Sequence, residues 1–237
     1  MITKEEYCIY ESDLVLWARI NALYKAYGQS VGIDFYHQTI DGKVTAYIGG
    51  KEGSLTLIAF ENADFDELNS FFELQRATVF CDIKDAKLLR PKNKQEAELL
   101  KFDGAVDSLS VDGHGGVAAV YDVLRKGEGV DIRLPKFEFW YADLCVRVNH
   151  YAAEYVLYEN AAAVCGFMTE KTSLITGVAV ASDQRRKGLG SKVLMQCIKN
   201  IKSRYFSSEI FVSTVGATKF YIKNGFKKCG RVAVCEF

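Results

Sequence analysis

The stretch Asp183–Leu194, DQRRKGLGSKVL, gathers Arg185, Arg186 and Lys187 ahead of two glycines set one residue apart, and an apolar run follows. Those residue types in that order are suited to holding an anion. A strand pattern ends at Val180. A helical pattern begins near Gly190, with Leu189, Val193, Leu194, Cys197, Ile198 and Ile201 on one face. The first turn of a helix has N–H groups without intrahelical partners. Glycines let the chain curl so that such groups converge, and the helix dipole adds positive potential there. A P-loop is excluded, because Ser191 and Lys192 follow Gly190 in the wrong order. A dinucleotide fingerprint is excluded as well, because Val193 stands where the third glycine belongs. Arg-x-x-Gly-x-Gly between a strand and a helix is satisfied in full by Arg185–Gly190. A solvated basic turn ahead of an ordinary helix would use the same residues, so the loop alone does not choose.

The flanking sequence does. GVAVASDQRRKGLGSKVL resembles the acyl-CoA-binding segment of the GNAT superfamily of N-acetyltransferases. ATKFYIKNGF, Ala217–Phe226, resembles the helix that follows it in that family. The resemblance covers roughly residues 103–237 and implies acetyl-CoA as co-substrate, with no metal. It implies that the backbone of Val178, Ala179 and Val180 pairs with the pantetheine arm like a missing strand. An N–H near Val180 would polarise the thioester carbonyl. It implies that Arg185, Arg186, Lys187, Gly188, Leu189, Gly190 and Ser191 hold the pyrophosphate, with either Arg186 or Lys187 reaching the 3′-phosphate. Tyr221 is implied as the acid that protonates the departing sulfur. Thr214 and Ala217 complete the pantetheine contacts.

Three departures qualify the match. Thr214 stands where the family often has asparagine. Leu174–Val180 carries no carboxylate where many members have a general base; Asp143, Glu159 and Glu170 are the remaining candidates, each read first as a surface charge. Only one strand, Arg231–Phe237, is expected after Gly225-Phe226, where the family has two. The N-terminal half is therefore expected to cover the exposed edge, since an open edge invites aggregation.

These residues need a frame. Helices are expected at Glu11–Tyr27, Phe65–Glu73, Val117–Lys126, Phe137–Asn149 and Ala217–Asn224, besides the one after the loop. Strands are expected at Ile33–Gln38, Lys43–Ile48, Ser54–Phe60, Thr78–Cys81, Glu154–Tyr158, Ala162–Met168, Leu174–Val180 and Glu209–Ser213. The second half opens on a strand candidate and a glycine-rich turn, Gly113–Gly116. The polar, Pro91-containing segment before residue 104 reads as a boundary, giving an N-terminal domain over 1–100 and a catalytic domain over 101–237. Set against each other with an offset of 120 residues, the halves both read strand, turn, strand, helix. FDELNS, Phe65–Ser70, then falls near the loop; it is acidic and lacks glycine, so one phosphate site is expected, in the second half.

Composition bounds the rest. The 237 residues carry 30 basic and 30 acidic side chains, so no global field points to nucleic acid or a membrane surface. No apolar run approaches the ~20 residues of a spanning helix, and the acidic start MITKEEYCIYESD lacks a leader's apolar region. Seven cysteines without a CxxC pair fit a reduced, cytoplasmic protein in which they act as small core residues. His37, His114 and His150 have no metal spacing and read as surface or structural groups. The aromatic group Phe137, Phe139, Trp140 and Tyr141 reads first as core and second as an acceptor wall.

The expectation is an α/β fold, a GNAT-like mixed and mostly antiparallel sheet flanked by helices, with a second N-terminal α/β domain. It transfers an acetyl group from acetyl-CoA to a primary amine, in a small molecule or peptide, by direct attack in a ternary complex, as a monomer or homodimer. The alternative is an acyl-CoA-binding sensor or scaffold without turnover.

Overall fold

Gly49 and Gly50 stand inside a strand for a steric reason. A Cβ at Gly49 would lie 2.9 Å from both Ile20 and Phe35, and one at Gly50 would lie 2.1 Å from the Ser54 carbonyl. Gly49 lets the first helix press on the sheet, and Gly50 lets the next strand approach closely. The computed structural model describes residues 1–4, 15–28, 30, 32–106, 111, 115–127 and 134–237. Helix residues expected at 11–14 lie outside them, as do Gly113, His114 and Cys8.

The strands are β1 (Ile2–Lys4), β2 (Ile33–Ile40), β3 (Lys43–Lys51), β4 (Ser54–Ala59), β5 (Thr78–Asp82), β6 (Asn93–Phe102), β7 (Glu154–Tyr158), β8 (Ala161–Met168), β9 (Thr172–Val180), β10 (Glu209–Thr214) and β11 (Phe226–Glu236). The helices are α1 (Val15–Tyr27), α2 (Phe65–Gln75), α3 (Ile83–Ala86), α4 (Val117–Lys126), α5 (Phe137–Asn149), α6 (Leu189–Arg204) and α7 (Thr218–Lys223). One eleven-stranded sheet runs β1-β2-β3-β4-β5-β11-β6-β10-β9-β8-β7. Only β4–β5 and β9–β10 pair in parallel, so the sheet is mixed and mostly antiparallel, as expected.

The same order of elements occurs twice. A helix, a three-strand meander, a helix, a parallel strand, a short helix and a final strand run from α1 to β6 and again from α5 to β11. The final strands are exchanged: β11 pairs with β5 of the first half, and β6 pairs with β10 of the second. The slot expected to lack a strand is thus filled by β6, held between β10 and β11. The boundary expected near residue 100 falls inside β6, and the last strand begins at Phe226 rather than at Arg231.

Helices cover both faces. On one, α6 and α7 pack over Ala163, Ile175, Leu100 and Val212, while α2 packs over Leu57, Val79 and Ala233. On the other, α1 covers Phe35, Leu174, Phe211 and Val232, and α4 with α5 covers Ala162, Val164 and Ala179. Among the described cysteines, Cys81, Cys165, Cys197 and Cys235 are buried and Cys229 is exposed.

Candidate active site

Strands β9 and β10 part company partway along. Their parallel register runs from Thr172↔Glu209 to Ile175↔Val212, and β9 then continues unpaired on that side to Val180. The Ala181 N–H donates to the Asn160 carbonyl at 2.9 Å, and β8 pairs with β9 through Ala161↔Val180 and Ala163↔Val178. Alternation along a strand therefore turns the N–H and C=O of Ala179 toward β8 and those of Val178 and Val180 into the gap. Of the three residues expected to pair with a ligand, two present their backbone groups to it. The Ala179 side chain packs into the core beneath α4.

A cavity of about 430 Å³ occupies this gap. Thr176 and Val178 of β9, Thr214 at the end of β10, Ala217 just beyond it, and Tyr221 of α7 line it. The Thr214 Oγ1 accepts a hydrogen bond from the Ala217 N–H at 3.0 Å, which leaves its own proton to donate. Tyr221 is 6% exposed, wedged edge-on against Phe220 and Phe226. Burial pushes its phenol well above the ordinary value, so it keeps its proton at neutral pH.

Above the gap, β9 leads through a 3-10 turn at Ser182–Gln184 into the basic loop. Gly188 caps α6 at φ 80°, a left-handed conformation that favours glycine, and offers no side-chain cap. The first helical hydrogen bond runs from Lys192 N–H to the Gly188 carbonyl at 3.1 Å. The N–H groups of Leu189, Gly190 and Ser191 therefore lie ahead of the ladder. A Cβ at Gly190 would meet Val180 at 3.3 Å and Phe220 at 3.4 Å, so the glycine seats this turn on the mouth of the gap. Arg185 Nε donates to the Val180 carbonyl at 3.3 Å, and Lys187 Nζ donates to Gln184 Oε1 at 2.8 Å.

The corresponding place in the first half is closed by its own side chains. The Asp64 carboxylate caps α2, accepting from Asp66 N–H at 2.9 Å and Glu67 N–H at 3.1 Å. The Asp85 carboxyl on α3 is buried beside the backbone of Ala59, the end of β4. An anion seat and a strand gap are there in outline, and the chain's own carboxylates fill both.

A second cavity, of about 550 Å³, lies on the α1 face between α1, α4 and α5. It meets the first at Arg19, Thr176 and Gly177. Asp143 belongs to it and is no surface charge. Its carboxylate accepts from Tyr27 Oη at 2.6 Å and Lys51 Nζ at 3.1 Å, and it pairs with Arg147. Burial pushes the Asp143 carboxyl up, but Arg147, Tyr27 and Lys51 outweigh it and hold the pKa below the ordinary range. Glu159 and Glu170 are exposed. Phe139 and Trp140 line this cavity, while Phe137, Phe139 and Tyr141 are 38%, 64% and 41% exposed, so the aromatic group is mostly wall and surface rather than core. Sequence reading passed over Arg19 and Arg147; the signal was an arginine in each of two otherwise apolar helical runs, LVLWARINAL and LCVRV. His150 sits exposed at the end of α5, with Nδ1 2.9 Å from the Val146 carbonyl. Among the described residues no cluster of three His, Cys, Asp or Glu side chains stands ready for a metal, and no helix is long and apolar enough to cross a membrane.

Residues 141–228 match the model of the acetyltransferase (GNAT) domain family. A Bacillus subtilis (strain 168) protein, described as the uncharacterized N-acetyltransferase CgeE, is 34% identical over 137 residues, covering 54% of this chain and 51% of that protein. The chain thus spans about half the length of the curated relative it matches. A GNAT-family acetyltransferase from Colwellia psychrerythraea superposes with a TM-score of 0.52 at 14% identity, covering 100% of this chain and 99% of that one. A putative GNAT-family acetyltransferase from Novosphingobium aromaticivorans does so with 0.57 at 12% identity, over 94% and 96%. At those identities the likeness shows the fold, and it extends to both halves. Gap, glycine loop and α7 tyrosine all lie within residues 141–228, the stretch that matches the acetyltransferase (GNAT) domain family.

Proposed function

We propose that the protein transfers an acetyl group from acetyl-CoA to a primary amine by direct attack in a ternary complex, with its one acetyl-CoA site in the second half. The observation that carries this reading is the gap between β9 and β10, open to strand-like pairing, mouthed by uncapped helix N–H groups and floored by a tyrosine kept protonated. In this reading Arg185–Ser191 hold the pyrophosphate. The backbone of Val178 and Val180, with Thr214 and Ala217, positions the pantetheine. The Val180 N–H polarises the thioester carbonyl. The amine lone pair forms the C–N bond, the C–S bond breaks, and Tyr221 gives its proton to the sulfur. The amine's extra proton leaves to water, since no carboxylate is among the described residues lining the gap. No cysteine lines it either, which favours direct attack over an acyl-enzyme.

A sensor that only holds acyl-CoA needs one cavity. The second cavity, joined to the first where β9 splays, favours an acceptor and hence turnover. Thiol release from acetyl-CoA across polyamines, amino acids, aminoglycosides and peptides tests the transferase reading. With an accepted amine, Tyr221→Phe is expected to lower kcat by about a hundredfold while acetyl-CoA affinity holds. Unchanged turnover would remove Tyr221 from the acid role.

A further inference from the structure

Arg19 projects from α1 to the wall that the two cavities share. Its guanidinium lies between the rings of Phe80 and Phe167, 4.4 Å from each centroid, and Nε donates to Thr56 Oγ1 at 3.0 Å. No carboxylate among the described residues pairs with it. Burial, with Arg147 nearby, pulls its pKa down to about 9, which still leaves it charged at neutral pH. A charge kept at that cost in a half-buried place needs a compensating anion.

Among the described residues the surroundings supply none. Asp143 is already committed to Lys51 and Arg147, and Glu52 is exposed on the β3–β4 hairpin. Arg147 adds a second guanidinium, with its Nε buried and without a partner. Among the described residues the cavity thus holds three cations against two carboxylates, with the charge of Arg19 at the inner end beside the gap. The pantetheine arm that the proposed function places in that gap is uncharged there, and its phosphates belong at the Gly188 loop. Arg19 is therefore left for the other substrate. Two aromatic faces hold its plane, and the fork of a guanidinium's terminal nitrogens matches the two oxygens of a carboxylate.

Resting on the acetyltransferase reading above, we propose that the acceptor amine carries a carboxylate on the same small frame, an amino acid or a close analogue, and that Arg19 binds that carboxylate. Phe139 and Trp140 then offer an apolar wall to the rest of the acceptor. The first half of the chain, which has no open anion seat of its own, thereby contributes a specificity residue to the second half's site.

Matched acids and amides test this: leucine and leucinamide, phenylalanine and phenylalaninamide, β-alanine and β-alaninamide. Thiol release is measured with wild type, Arg19→Met and Arg19→Lys, each checked for native circular dichroism. Calorimetry of the same compounds on the acetyl-CoA-loaded protein runs alongside. For at least one pair, wild type is expected to favour the acid by roughly tenfold or more in kcat/KM and in affinity. Arg19→Met is expected to erase that ratio through KM, and Arg19→Lys to restore part of it. Equal handling of acid and amide by wild type overturns the proposal, as does failure to bind any acid. A kcat loss in Arg19→Met shared by acid and amide would assign Arg19 to the reacting carbonyl and also overturn it. Acid-selective binding without thiol release would refute the transferase reading while leaving Arg19's role intact.

Discussion

Tyr221 and Asp85 stand on corresponding short helices of the two repeats, and their chemistry separates an open gap from a closed one. Tyr221 on α7 lines the cavity with a phenol that burial keeps protonated. Asp85 on α3 is 5% exposed and reaches the end of β4. Burial raises its pKa to about 6; Lys84 and the nearby backbone of Ala59 oppose the rise, while Asp82 adds to it. The sign follows from linkage. Between the unfolded value near 4 and the folded value, the native state binds the extra proton, so stability falls as pH rises across that window and stays lower above it. Asp85→Asn mimics the protonated acid. It is expected to be more stable than wild type by about 1–2 kcal/mol at pH ~7 and level with it at pH ~4, in urea midpoints. The same gap between the two variants at both pH values would refute this. The loop and Tyr221 were legible in the sequence because their chemistry is local. Arg19 was not, because its meaning depends on which side chains surround it, and only packing reveals them.

At the scale of elements, β6 is the long strand that sequence reading missed, besides the short β1, and its composition explains why. Lys94, Glu96 and Glu98 read as linker, yet on the β-ribbon they form ion pairs: Lys94 with Glu96 along β6, and Glu96 and Glu98 with Arg231 and Lys228 of β11. A strand paired on both sides can still show a polar face where no helix covers it, and it then lacks the apolar run that marks a buried strand. The boundary reading followed from that polarity. The strands and helices with clear periodicity, by contrast, lie within a few residues of where the sequence puts them. The far end of β6 is core: Leu100 is fully buried, pairing with Val212 and Lys228 between β10 and β11. Leu100→Ala is expected to cost about 2–5 kcal/mol, and to lower the urea concentration at which acetyl-CoA binding is lost by the same measure. A cost below about 1 kcal/mol would mean that β6 does not complete the second half's sheet.

At the scale of the molecule, the exchange of final strands makes two repeats into one cooperative body. Neither half can bury its own sheet without the other's last strand, because β11 lies against β5 and β6 against β10. The α1 and α5 helices add contacts across the halves, and Tyr27 and Lys51 of the first half both bind Asp143 of the second. Two separately tethered domains would bury only a modest, polar interface and could unfold one after the other. Here the shared surface is the middle of a sheet. The chain holds two tryptophans, and each reports on one half: Trp17 is buried on α1, and Trp140 lines the second cavity on α5. Trp140→Phe leaves Trp17 as the sole reporter, and Trp17→Phe leaves Trp140. In each variant the fluorescence transition in denaturant is expected to coincide with the loss of far-ultraviolet circular dichroism, in a single step with one slope. If the Trp17 signal and the dichroism of Trp140→Phe separate, or those of Trp17→Phe do, the halves unfold independently and the strand exchange does not couple them. A coincident transition would also mean that a destabilising change in the first half, far from the glycine loop, weakens acetyl-CoA binding only as far as it lowers the whole molecule's stability.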